Sequence, residues 1–94
     1  MRVEWLRSAL RNLDAEAAYI AGDDPAAADE VVERILNAVA ALAEQPNLGR
    51  PGRVPNTREL VVLHTRYIVP YRVRADVVQI LRVFHTSRRP PKNW

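Results

Sequence analysis

Hydrophobic residues in this chain recur with a helical period up to residue 42 and with a strand period beyond residue 58. That single switch requires an α+β arrangement in which a helical layer precedes a sheet. Leu6, Leu10, Leu13, Ala17 and Ile20 step by four, three, four and three, which sets them along one stripe of an amphipathic helix. Ala28, Val32, Ile35, Val39 and Leu42 repeat the spacing, while Asp29, Glu30, Glu33 and Arg34 fall off the stripe toward water. Between the two segments, Gly22-Asp23-Asp24-Pro25 supplies a stop, an acid suited to an N-cap and a proline suited to a first helical turn. So short a joint predicts an antiparallel helical hairpin over about 6–44, whose shared apolar seam needs a sheet beneath it.

The stretch 45–57 holds three prolines and two glycines and reads as an irregular connection. Three β-rich runs follow, Arg58 to His64, Arg66 to Arg74 and Val77 to His85, with turn material at Thr65 and at Ala75-Asp76. Their short spacing predicts an antiparallel meander over 58–85. In the second run Tyr67, Val69, Tyr71 and Val73 share an apolar face that packs as core, and Ile68, Pro70, Arg72 and Arg74 share a polar, arginine-bearing one. Pro70 lacks a ladder donor and predicts a bulge or an unpaired edge at its position. Arg2 to Trp5 is a candidate fourth strand, giving a mainly antiparallel sheet of three to four strands beside the hairpin. The tail 86–94, with its paired prolines, reads as extended. A chain of 94 residues has room for one such domain, 1–94.

Charge divides along the same line. Residues 1–47 carry four basic and nine acidic groups, a net of −5, whereas residues 48–94 carry ten basic and two acidic, a net of +8. The overall +3 therefore conceals a cationic half suited to phosphate backbones or acidic protein partners. The absence of cysteine excludes a disulfide framework and a thiolate metal site. The two histidines lie far apart in sequence, so no metal and no cofactor is expected. No apolar run approaches a membrane span and the first residues lack a signal-peptide core, so a cytoplasmic protein without membrane contact is expected.

Three stretches carry a family likeness: Asn47-Leu48-Gly49-Arg50-Pro51-Gly52-Arg53, Tyr67-Ile68-Val69-Pro70-Tyr71-Arg72-Val73, and Ile80 through His85 followed by Thr86-Ser87-Arg88. Their order and spacing after a two-helix start resemble the RelE/ParE toxin superfamily over nearly the whole chain. The resemblance implies a toxin of a type II toxin–antitoxin module, a hetero-oligomer with a cognate antitoxin that holds it inactive. Two chemistries occur on that fold. RelE-like members cut messenger RNA on the ribosome. That task needs a proton shuttle and cations on the phosphate, for which His85, Arg82 and Arg72 are the candidates. Here Thr86 follows His85 where some nuclease members carry a tyrosine, and Lys92 is the chain's one lysine, so the nuclease set is incomplete. ParE-like members instead poison DNA gyrase and block replication, a task of recognition that asks for a rigid cationic body.

The Tyr-Ile-Val-Pro-Tyr-Arg and Val-Phe-His-Thr-Ser-Arg-Arg stretches are closer to the ParE branch. On that reading Arg88, Arg89, Lys92 and Trp94 are the target-binding candidates, and Arg72, Arg74 and Arg82 the antitoxin-binding ones. A third possibility is a toxin fold retained as an inactive partner or regulatory module. Each residue also has a plainer role: His85 as a strand-end structural histidine, the basic tail as a solubilising segment, Trp94 as a ring folded back on the sheet.

Overall fold

In a computed structural model, residues 1–87 and 94 are described. The chain runs β1 (Arg2–Trp5), α1 (Arg7–Ala21), α2 (Pro25–Ala40), a short 3-10 turn (Ala41–Ala43), then β2 (Arg50–Pro51), β3 (Arg58–Val61), β4 (Tyr67–Arg74), β5 (Val77–Ile80) and β6 (Phe84–His85). The helices form the expected hairpin. Asp24 caps α2, its carboxylate accepting from the Ala27 N–H at 3.1 Å, and Pro25 fills the first helical position, where its missing donor is not needed.

The strands align in the order β1-β5-β4-β3-β2, with β6 beside β4. β3, β4 and β5 make the expected antiparallel meander, and β1 joins it in parallel, Arg2 opposite Val77 through Trp5 opposite Ile80. Among the described residues, the two-residue strand β2 supplements the four strands the sequence predicts, and the last of those is divided into β5 and β6. Run 77–85 is broken because Pro70 interrupts its partner. The Leu81 N–H donates to the Pro70 carbonyl at 2.9 Å, so the side of Pro70 lacking an N–H also faces this strand. There Leu81 to Val83 loop out between the pairs Tyr71–Ile80 and Ile68–Phe84. The bulge forms on the neighbouring strand, and β4 lies inside the sheet, not at its edge.

One face of the sheet carries the helices. Leu60, Val62, Tyr67, Val69, Tyr71, Val78, Ile80 and Val83 form a common core with Ala9, Leu13, Ile35, Val39 and Leu42. α2 buries its stripe as its spacing predicts, but α1 is rotated from the expected phase: Ala9, Leu13 and Glu16 are buried, and Leu10 stays 46% exposed. Glu16 occupies a core position because the Tyr67 hydroxyl, on β4, donates to its carboxylate at 2.9 Å. The opposite face departs from a uniformly polar surface. Ile68 and Pro70 are buried, and only its Arg72–Arg74 end is open to solvent.

Candidate partner-binding surface

The connection from α2 to β3 has little regular structure, so its backbone polar groups must be satisfied from elsewhere. Two buried side chains of the sheet do this. The Tyr71 hydroxyl donates to the Pro46 carbonyl and accepts from the Gly49 N–H, both at 2.8 Å. The Tyr71 ring lies so close that a Cβ on Gly49 would stand 2.6 Å from its Cε1. Burial pushes the Tyr71 phenol up from its ordinary pKa, against the opposing pull of the Gly49 N–H and the Arg58 charge.

Glu59, only 2% exposed, accepts from the Arg53 backbone N–H at 3.0 Å and from Arg53 Nε at 3.1 Å, and pairs with Arg50 Nη2 at 3.2 Å. Burial alone would raise its pKa. The Arg53 backbone N–H, the Arg50 hydrogen bond and the Arg53 charge together outweigh burial and hold the carboxyl below its ordinary 4.5. Arg58 Nη1 donates to the Gly49 carbonyl at 2.8 Å, and the Gly52 N–H donates to the Thr57 carbonyl at 2.8 Å, closing the far end of the loop.

The solvent-open end of the arginine-bearing face forms a cleft of about 520 Å³, with Arg72 and Arg74 along β4, loop residues 54–57 on one side, and Leu6, Leu81 and Trp94 on the other. A neighbouring recess of about 290 Å³ shares Arg72, Val73, Asn56 and Thr57 and adds Arg58. Arg72 is held by Gln79, to whose Oε1 its Nε donates at 2.7 Å, and the Arg74 side chain makes no hydrogen bond among the described residues. Cationic groups flanked by apolar walls suit a chain segment that carries both carboxylates and hydrophobic side chains.

The sequence candidates are distributed unevenly over this surface. Arg72 and Arg74 line the cleft; Arg82 lies in the bulge with Nη1 donating to the Leu81 carbonyl at 3.0 Å. Trp94 packs its ring edge-on against Phe84, centroids 5.6 Å apart, as the fold-back reading expects. Arg88, Arg89 and Lys92 lie outside the described residues. His85 pairs with Tyr67 across β4–β6, the two rings meeting edge to face at 5.2 Å, and its Nδ1 lies 3.2 Å from the Ser87 N–H that donates to it. His85 therefore shares the helix side of the sheet with Tyr67. Arg72 projects from the other side, five positions further along β4, roughly 17 Å at strand rise.

The sequence reading missed Glu59 and the Tyr71 hydroxyl as loop anchors. A lone acid among arginines at 50, 53 and 58 was the available signal for Glu59. Among the described residues no group of three metal-ligating side chains comes together, and no helix is long and apolar enough to cross a membrane.

The family described as the ParE toxin of type II toxin-antitoxin system, parDE, matches residues 3–90. A putative toxin, Y4kP, from Sinorhizobium fredii is 53% identical over 91 residues, spanning 97% of this chain and 94% of its own length. Toxin RelE2 from Caulobacter vibrioides is 37% identical over 87 residues, spanning 93% of this chain and 97% of its own. A solved chain from the chromosomal ParDE TA system of P. aeruginosa superposes with a TM-score of 0.80 at 32% identity, covering 90% of this chain and 95% of that one.

Proposed function

This chain belongs to the ParE family of toxins of type II toxin–antitoxin systems, and we propose that it arrests growth in the cytoplasm by poisoning DNA gyrase, a cognate antitoxin neutralising it. The observation that carries this reading is the separation of two of the three nuclease candidates, His85 and Arg72, across the sheet. His85 lies on the helix side of the sheet with its Nδ1 engaged by Ser87, and Arg72 lies on the opposite side. Acid–base work on a ribose phosphate requires the proton shuttle and the phosphate cation within one hydrogen-bonded site. Recognition makes no such demand and uses the cationic surface as it stands. The antitoxin's place is the Arg72–Arg74 cleft, whose apolar walls and positive charge match an acidic, partly hydrophobic segment that orders as it docks.

The test is to express the chain alone in a bacterial host and follow DNA and protein synthesis separately, with a supercoiling assay on purified gyrase alongside. Gyrase inhibition and DNA damage ahead of any fall in translation are expected, and His85→Ala retains toxicity. Translation stopping first with intact DNA, together with loss of activity in His85→Ala, would establish the messenger-RNA nuclease instead.

A further inference from the structure

We propose that the anchored loop between α2 and β3 is the surface by which this toxin engages its target, with Leu48 as the central contact and Arg50 and Arg53 beside it. The occupant is an acidic protein surface with an apolar recess. The inference rests on the reading above that the protein acts by recognition.

The first ground is what the sheet commits to this loop. Tyr71 and Glu59 are fully or almost fully buried, positions where an apolar side chain would cost nothing in desolvation, yet both direct their polar atoms to the loop backbone and its arginines. Gly49 and Gly52 admit the close approach, since a side chain on either would collide with Tyr71 or Thr57. The loop is thus held in one conformation before any partner arrives, and little ordering entropy remains to be lost on docking.

The second ground is what the anchoring leaves outside. Leu48 is 51% exposed next to the buried Gly49, and the Arg50 and Arg53 side chains are 54% and 41% exposed although paired to Glu59. Arg50 and Arg53 share one carboxylate and Arg58 bonds the Gly49 carbonyl, leaving the loop net positive. Charge of that size favours an acidic partner. The outward leucine argues for protein over nucleic acid, because a phosphate backbone offers nothing for an isopropyl group to bury. Leu63 serves as the internal contrast. It is 72% exposed, but its turn is held by Thr65 through bonds to the Val62 carbonyl and the Tyr67 N–H, without a buried carboxylate or phenol.

The geometry also explains how neutralisation can work. Residues 54–57 of the same loop wall the Arg72–Arg74 cleft, so a segment seated there lies directly beside the target surface.

The experiment compares the unmodified chain with Leu48→Asp, Leu63→Asp and Arg50→Gln, the last leaving the Arg53 bonds to Glu59 in place. Each is expressed alone at graded induction. Growth arrest is read against soluble protein level, and thermal unfolding is measured on the purified proteins. Leu48→Asp is expected to fold and to need at least about thirty times more protein for arrest, the loss typical of removing a central contact. Arg50→Gln is expected to need several times more, and Leu63→Asp to match the unmodified chain. A folded Leu48→Asp that arrests growth at the unmodified dose overturns the proposal, whether or not Arg50→Gln has lost activity; loss in Arg50→Gln alone would mark a phosphate backbone as the occupant. Growth arrest is scored whatever the target, so a toxin that spares gyrase refutes the proposed function while the Leu48 comparison still decides this inference.

Discussion

Glu59 and Tyr71 show how single buried polar atoms can fix a surface loop. Glu59→Gln removes the charge that Arg50 and Arg53 share and weakens the acceptor for the Arg53 N–H. A loss of about 1–3 kcal/mol is expected, read as a lower urea midpoint at neutral pH. The folded carboxyl titrates below its ordinary 4.5, so its contribution is complete above that value and disappears as pH falls through the folded pKa. The gap between the unmodified protein and Glu59→Gln therefore narrows in acid; a constant gap would assign the effect to packing. Tyr71→Phe leaves the Gly49 N–H and the Pro46 carbonyl without their partner and is expected to cost about 1–3 kcal/mol. Gly49→Ala forces a methyl against the Tyr71 ring, with a similar expected loss from overpacking. Hydrophobic period reveals neither anchor: Tyr71 bonds backbone groups 22 and 25 positions away, and Glu59 bonds arginines six and nine positions before it.

Among the elements, those whose burial follows a simple period were legible and those governed by distant partners were not. α2 buries its predicted stripe, and Asp24 caps it as its place before Pro25 suggests. α1 is rotated because Glu16, discounted as polar, is accepted into the core by Tyr67, which is 51 positions away. Leu13→Ala is accordingly expected to cost about 2–5 kcal/mol, while Leu10→Lys stays within about 0.5 kcal/mol, both read by thermal or urea unfolding. The meander was legible from alternation and turn residues. Its split last strand follows from Pro70, whose effect falls on the neighbour. At the turn between β4 and β5, Ala75 and Asp76 hold φ of 52° and 61°, a left-handed conformation that alanine adopts at a cost. Ala75→Asn is expected to stabilise by about 1 kcal/mol, raising Tm by roughly 4–8 °C.

For the whole molecule, the charge asymmetry read from sequence becomes an acidic helical layer backing an arginine-bearing sheet, but the arginines divide their labour. Arg50, Arg53 and Arg58 serve the loop, and Arg72 and Arg74 are left to the cleft. Sequence gave the count of cations and not this division, which depends on Glu59 facing inward. Antitoxin binding at the cleft is expected to weaken as salt rises, and an Arg72→Ala/Arg74→Ala double variant to flatten that dependence, measured by titration calorimetry at several ionic strengths. The parallel pairing of β1 with β5 has a further outcome for synthesis. Strand β1 pairs with Val77–Ile80 far along the chain, so the core stays open on one side until that segment has been made. A chain cut short before Val77 then lacks the seat for β1, and translation aborted partway is expected to leave no folded toxin.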